Sequence, residues 1–403
     1  MLLLLALACT SDDTTDDKDR ADDTSGPDDT SDTDTSDTDT SDTDTSDTDT
    51  SPGEGCRATP APADRDRAVI VSLPYTVDAD ASDVWAVLSL TAGGELSDPG
   101  TRVTMGRASA GEVVFTPDGS LALAPTERGA VVVYDVANGA VVETAFDGGF
   151  YAGRVVMDPS GEVAWVIDQN WVNNGGGVYR VDIDCVTGAL SGAARVLEAK
   201  LPGDLLLLDG GALVVGRDVA GSAAGDDVAR LSWDGGAPFV ASTFVDGADA
   251  FGHDDAHVTD AAMVGDWVLV ADNSEFSGEP TGVARVRVGE TLDVSPAVEL
   301  EDPMALLPFP DGSARVLVSS GYGDAYFVLD ADAGTTSAVT ASRVQLPSAL
   351  VAITRGELDG LVFGSEVGGV RQLRMSAGGV ADLGVFSLGD GLDALPGAIG
   401  VAP

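Results

Sequence analysis

Residues 67–403 predict an all-β fold, a seven-bladed β-propeller of four-stranded antiparallel blades, on three observations. Short β-branched runs recur around tight glycine turns, six times over, at near-constant intervals. No stretch of a dozen residues sustains an i, i+3, i+4 apolar stripe, so long helices are not expected. The two ends of the stretch supply three strands at the front and one at the back, together one further unit.

The clearest unit covers residues 113–146. A strand at 113–115 leads through Pro117-Asp118-Gly119 into a second strand at 121–124. A third at 130–135 leads through Asn138-Gly139 into a fourth at 141–146. Asp-Gly and Asn-Gly between β-branched runs are strong hairpin signals, because these residues accept the positive φ that the turn needs. The turn glycines of successive units fall at Gly119, Gly161, Gly211, Gly265, Gly312 and Gly360. Runs at 69–73, 83–90 and 102–105 are the three front strands. Pro396-Gly-Ala-Ile399-Gly-Val401 supplies the lone last strand, which would close a seventh blade against them. Radial packing of such sheets hides their edges.

The chain before residue 67 has a different character. Residues 1–9 are apolar and end in Ala8-Cys9, and residues 10–66 contain almost no large apolar side chain. Residues 31–50 are four copies of Ser-Asp-Thr-Asp-Thr. With no apolar face at period 2 or 3.6, nothing offsets the entropy of ordering. A neutral flexible chain of this length spans roughly 40 Å, and like charges stretch it further. The stretch therefore predicts a disordered, acidic spacer; it lacks the glycine and distal glutamate of an EF-hand loop. The apolar run is too short to span a membrane, which takes about 20 residues.

The net charge is −46. Residues 10–55 carry 18 acidic and two basic side chains, or −16, leaving −30 for the rest. A field of that sign repels nucleic acid and anionic membrane surfaces. No nucleic-acid partner is expected, and a monomer is. A divalent cation is the one cofactor that the acidic surface suggests.

Two resemblances follow from these residues. Residues 5–9, Leu-Ala-Leu-Ala-Cys9, resemble the end of a bacterial lipoprotein signal peptide, which implies acylation of Cys9 and a membrane contact made through the lipid alone. Thr10, where aspartate would favour inner-membrane retention, implies the outer membrane or cell surface of a Gram-negative bacterium. Phe115-Thr-Pro-Asp-Gly119, Met157-Asp-Pro-Ser-Gly161, Phe309-Pro-Asp-Gly312, Tyr134-Asp135 and Leu329-Asp330 resemble the YVTN or lactonase-like propeller repeat. That pattern implies blades, and blades host many functions.

The candidate chemistry is sparse. The two histidines lie together in His253-Asp254-Asp255-Ala-His257, with Asp260 nearby; His253, Asp255 and His257 form a candidate metal-ligand set. Two long inter-strand loops are candidate ligand contacts: one holds Asp168, Trp171 and Asn173, the other Asp272 and Glu275. Of the three cysteines, Cys56 and Cys185 remain if Cys9 carries lipid, and outside the cytoplasm they could bridge if their Cα atoms approach within about 7 Å. No nucleophile elbow, phosphate loop or dinucleotide fingerprint is present. Two functions stay open: a binding or scaffolding module for a protein or small molecule, and an enzyme of lactonase or metal-dependent hydrolase type using the His253–His257 region.

Overall fold

The computed structural model describes residues 55–73, 83–108, 111–126, 131–142, 152–169, 176–208, 211–217, 219, 226–232, 240–253, 257–273, 279–289, 292–321, 325–341, 349–389 and 397–403. They form seven four-stranded antiparallel sheets, the propeller expected. Blade 1 joins Arg67–Ser72, Val84–Leu90 and Leu96–Thr104 to the C-terminal strand Ile399–Val401. Blades 2 to 7 span 114–142, 152–197, 201–246, 258–299, 303–341 and 350–387. Gly119, Gly161, Gly265, Gly312 and Gly360 all sit at positive φ, between 61° and 80°. This is why glycine marks the repeat.

The core is a ring rather than a ball. Seven clusters of buried side chains lie between successive blades among the described residues. Leu88, Leu361 and Phe363 join blades 1 and 7. Ile70, Trp85 and Ala122 join blades 1 and 2. Trp165, Ile167 and Val214 join blades 3 and 4. Second strands such as Val163–Asp168 and Trp267–Asp272 are buried almost throughout. Covered on both faces by adjoining blades, they read as continuous apolar runs rather than alternating ones.

The first strand of each later blade is its innermost, and Ile399–Val401 takes that place in blade 1. Each innermost strand touches the next around the ring, back to the first. The closing strand pairs with Arg67–Ser72 in the register Val69↔Val401, Ile70↔Gly400, Val71↔Ile399. On its other side the Val113 amide donates to the Ile399 carbonyl at 3.0 Å.

Residues 55–66, read in the sequence as the end of the linker, lie along the turns of blades 2 and 3. The Ala61 amide donates to the Pro117 carbonyl and the Asp118 amide to the Arg57 carbonyl, both at 3.2 Å. Cys56 is bonded to Cys185 in the turn between the outer strands of blade 3, with Cα atoms 5.9 Å apart. Arg57 donates to the Cys185 carbonyl at 2.9 Å. The polar composition hid this segment, because it holds on through hydrogen bonds, the Arg57–Asp118 ion pair and one covalent bond rather than an apolar face. Among the described residues no helix is long and apolar enough to cross a membrane.

Candidate functional site

The innermost strands of blades 3 to 6 share a local irregularity. Their pairing slips by one residue between Ala152 and Arg154, Pro202 and Asp204, Val258 and Asp260, and Pro303 and Ala305. A bulge bends its strand and re-aims the side chain that follows it. The following residues in blades 3, 4 and 5 are Arg154, Asp204 and Asp260, and they meet at the mouth of the central channel.

Arg154 is the hub. Its Nε lies 3.0 Å from Asp204 Oδ1, its Nη1 2.5 Å from Asp260 Oδ1, and its Nη2 3.6 Å from Glu112 Oε1, which stands before the first strand of blade 2. The two aspartates are sealed in: each side chain is 3% exposed. Their other lone pairs tie neighbouring blades together. Asp204 accepts the Leu205 amide at 2.7 Å and the Ala261 amide of blade 5 at 3.1 Å. Asp260 accepts the Leu306 amide of blade 6 at 2.6 Å.

Three carboxylates share one guanidinium, and the charge balance moves protons. Burial is the largest influence on Glu112 and raises its carboxyl to about 7; Arg154 opposes this and Asp260 adds to it. Burial likewise raises Asp204 to about 8, against Arg154 and with the help of Asp260. Burial disfavours the Arg154 charge, but Asp204, Asp260 and Glu112 outweigh it and hold the guanidinium above its ordinary value. At neutral pH the cluster therefore retains protons that exposed carboxylates would have lost.

Above the cluster lies a cavity of about 250 Å³, lined among others by Glu112, Arg154, Gln169, His257, Asp260 and Met304. Glu112 and Arg154 keep 27% and 15% side-chain exposure and so border it directly. Gln169 is held by a hydrogen bond to the Pro202 carbonyl at 3.1 Å. The arrangement offers an exposed imidazole, a carboxyl titrating near neutrality and an amide around one small space. It can accept hydrogen bonds and exchange protons with a bound molecule.

The two histidines part company. His257 borders the channel cavity, with Nδ1 3.2 Å from the Asn273 carbonyl. His253 is nearly buried, with Nε2 3.0 Å from Asp272 Oδ2. The His257 amide donates to the other Asp272 oxygen at 2.7 Å. Asp272 thus binds both ends of the histidine segment. Asp168 and Asp272, read as loop residues, are the fully buried last residues of second strands. Cys9, Trp171, Asn173, Asp255 and Glu275 lie outside the described residues. Among the described residues, Cys56, Glu162 and Cys185 cluster closely enough to suggest a metal site, but the disulfide occupies both sulfurs.

The sequence alone draws notice to Asp260 but not to Glu112, Arg154 or Asp204. A signal for them exists. Glu112, Arg154 and Asp204 each lie seven residues before a glycine that opens or precedes a second strand, at 119, 161 and 211, as does Ala305 before Gly312; Gly211 is itself the first residue of its strand rather than a turn residue. Charge at that register of consecutive blades marks the channel.

No family model matches the chain, and no curated protein matches it. Solved structures do. The periplasmic gluconolactonase of Pseudomonas aeruginosa is similar at 13% identity and a TM-score of 0.60, with 84% of this chain and 99% of that one covered. Hydrazine synthase of Kuenenia stuttgartiensis is similar at 13% identity and a TM-score of 0.55, covering 76% and 95%. A protein of unknown function from Desulfotomaculum acetoxidans gives 14%, 0.53, 83% and 98%. At such identities the likeness is one of fold, and the fold is the propeller.

Proposed function

We propose that this chain is a binding protein of the cell envelope, anchored by acylated Cys9 and held off the membrane by its charged spacer, that takes a small polar ligand at the mouth of its propeller channel. The observation that carries this reading is the channel cavity, where Glu112, Arg154 and His257 border one space. Ligand sites are concave and set a few polar groups around a small volume. A panel of small amines, polyols and lactones tests it by calorimetry on the purified chain. One class should bind at a single site per chain, and His257→Ala and Glu112→Gln should each weaken it at least tenfold. If nothing in the panel binds, or if binding ignores both substitutions, the reading is wrong.

A second reading, hydrolysis of a lactone, draws on one feature. Glu112 titrates at about 7 beside the cavity that His257 lines, suited to accepting a proton from an attacking water. The similarity to a gluconolactonase agrees with it in fold. Turnover of the lactones in the same panel, with a rate that rises through pH 7 and is lost in Glu112→Gln, would favour it over simple binding.

A further inference from the structure

The charged cavity has a neighbour in the ring. A second cavity, of about 340 Å³, lies along the same innermost strands and shares Glu112 with the first. Its walls are apolar: Val114, Phe115, Met157, Leu307, Ala352 and Val401, drawn from five blades. All six are partly exposed, in a ring whose other apolar side chains are mostly sealed between blades. Met157 follows Arg154 by three residues on one strand, and Leu307 follows Ala305 by two on another. At about 3.3 Å per residue, the apolar level lies roughly 7–10 Å along the channel from the charged one. The channel is therefore amphipathic along its axis.

The charge at the mouth limits what can enter head-first. Three carboxylates face one guanidinium, whose three nitrogens are all engaged. An anionic head would compete with three carboxyls for that guanidinium, whereas a hydrogen-bond donor meets acceptors. One acceptor is already short of a donor among the described residues. Asn273, 5% exposed, stands behind the wall formed by His257 and Met304; its amide nitrogen lies 2.6 Å from Met304 Sδ, and its buried oxygen has no hydrogen-bond partner. In the apolar level, space for a chain is ample, since an apolar cavity of about 150 Å³ already holds benzene.

We propose that the channel binds a cationic amphiphile: a primary ammonium head at the Glu112–Asp260 mouth and a short alkyl chain in the shaft walled by Met157, Leu307 and Val401. The proposal rests on the channel mouth being a ligand site, and goes beyond it by assigning the ligand's chemistry and its orientation.

The test is a calorimetric series of n-alkylammonium ions, butyl to octyl, on the full chain carrying Cys9→Ser so that no acyl group competes. Affinity should rise about fourfold per added methylene until the shaft is filled. Alkyl sulfates of the same lengths should bind at least tenfold more weakly. Met157→Gln, close in length and shape, should flatten the chain-length dependence, while Met157→Leu should keep it. Ammonium binding with no dependence on chain length overturns the shaft assignment and leaves the mouth as a site. Equal binding of sulfates overturns it as non-specific apolar adsorption. No binding by any ammonium overturns this proposal, while polyol or lactone binding in the earlier panel would still support the mouth.

Discussion

Arg154 is the cation that makes Asp204, Asp260 and Glu112 tolerable at the channel mouth. Removing one partner from such a cluster is costlier than never having built it, because the remaining charges stay buried without compensation. Arg154→Leu should therefore destabilise the fold by about 3–5 kcal/mol at pH 8. The penalty should depend on pH, and the sign follows from linkage. Glu112 and Asp204 titrate at about 7 and 8 in the folded chain, above the ordinary 4.5 and 3.8 expected when unfolded. Between those limits the folded chain binds more protons than the unfolded one. The contribution of these two groups to stability thus falls as pH rises from about 4 to about 8, then levels off. Without Arg154 both carboxyls hold their protons more tightly still, so the variant loses least near pH 5 and most at pH 8. Urea melts of both proteins across that range measure this. An identical penalty at pH 5 and pH 8 would mean that the loss is one of packing, not charge.

At the scale of elements, the strap of residues 55–66 and the bulged inner strands are the two features beyond a plain set of blades. The Cys56–Cys185 bond closes a sequence separation of 129 residues. Bridging so long a loop limits the unfolded chain strongly, and losing it should cost about 2–4 kcal/mol. Cys56→Ser should lower the urea midpoint accordingly and should also speed proteolytic cutting within 55–66, since the remaining tie is a few hydrogen bonds and the Arg57–Asp118 ion pair. Unchanged cutting would show that the Arg57 and Ala61 contacts suffice alone. These features also mark what was legible in the sequence. The blades were, because a hairpin turn demands glycine at Gly119, Gly161 and Gly312, and a strand buried on both faces demands runs such as Val268-Leu-Val-Ala271. The bulges were not: one extra residue at Gly153, Gly203 or Thr259 leaves the apolar pattern almost intact. Arg154 and Asp204 consequently look like stray charges until the blades are set in register. His253 and His257 drew notice by residue type, but a shared sequence neighbourhood did not put both side chains on the cavity, because Asp272 holds His253 behind it.

At the scale of the whole molecule, everything depends on ring closure, because each interblade cluster needs both of its blades. Closure is made by three residues, Ile399–Val401, gripped on two sides. On one side they complete the sheet of blade 1, reinforced by the Ser72 amide donating to the Ala398 carbonyl at 2.9 Å and the Ala398 amide to Ser72 Oγ at 2.6 Å. On the other they lie against the entry to blade 2, so closely that a Cβ on Gly400 would run into the Val113 carbonyl oxygen. Glycine is required there for the approach of two backbones rather than for a turn, since Gly400 is not at positive φ. Two changes probe the closure independently. Deleting residues 397–403 leaves the Arg67–Ser72 edge unpaired, and an open edge invites pairing between chains. Gly400→Val keeps the strand but forces it away from Val113. Both should lower the thermal midpoint and broaden the transition, and the deletion should also give concentration-dependent association. A synthetic peptide of residues 397–403 should restore a sharp transition to the truncated chain by adding back the missing strand, but should do nothing for Gly400→Val, whose own strand still occupies the place. Rescue of both, or of neither, would show that blade 1 does not depend on its last strand in the way its hydrogen bonds imply.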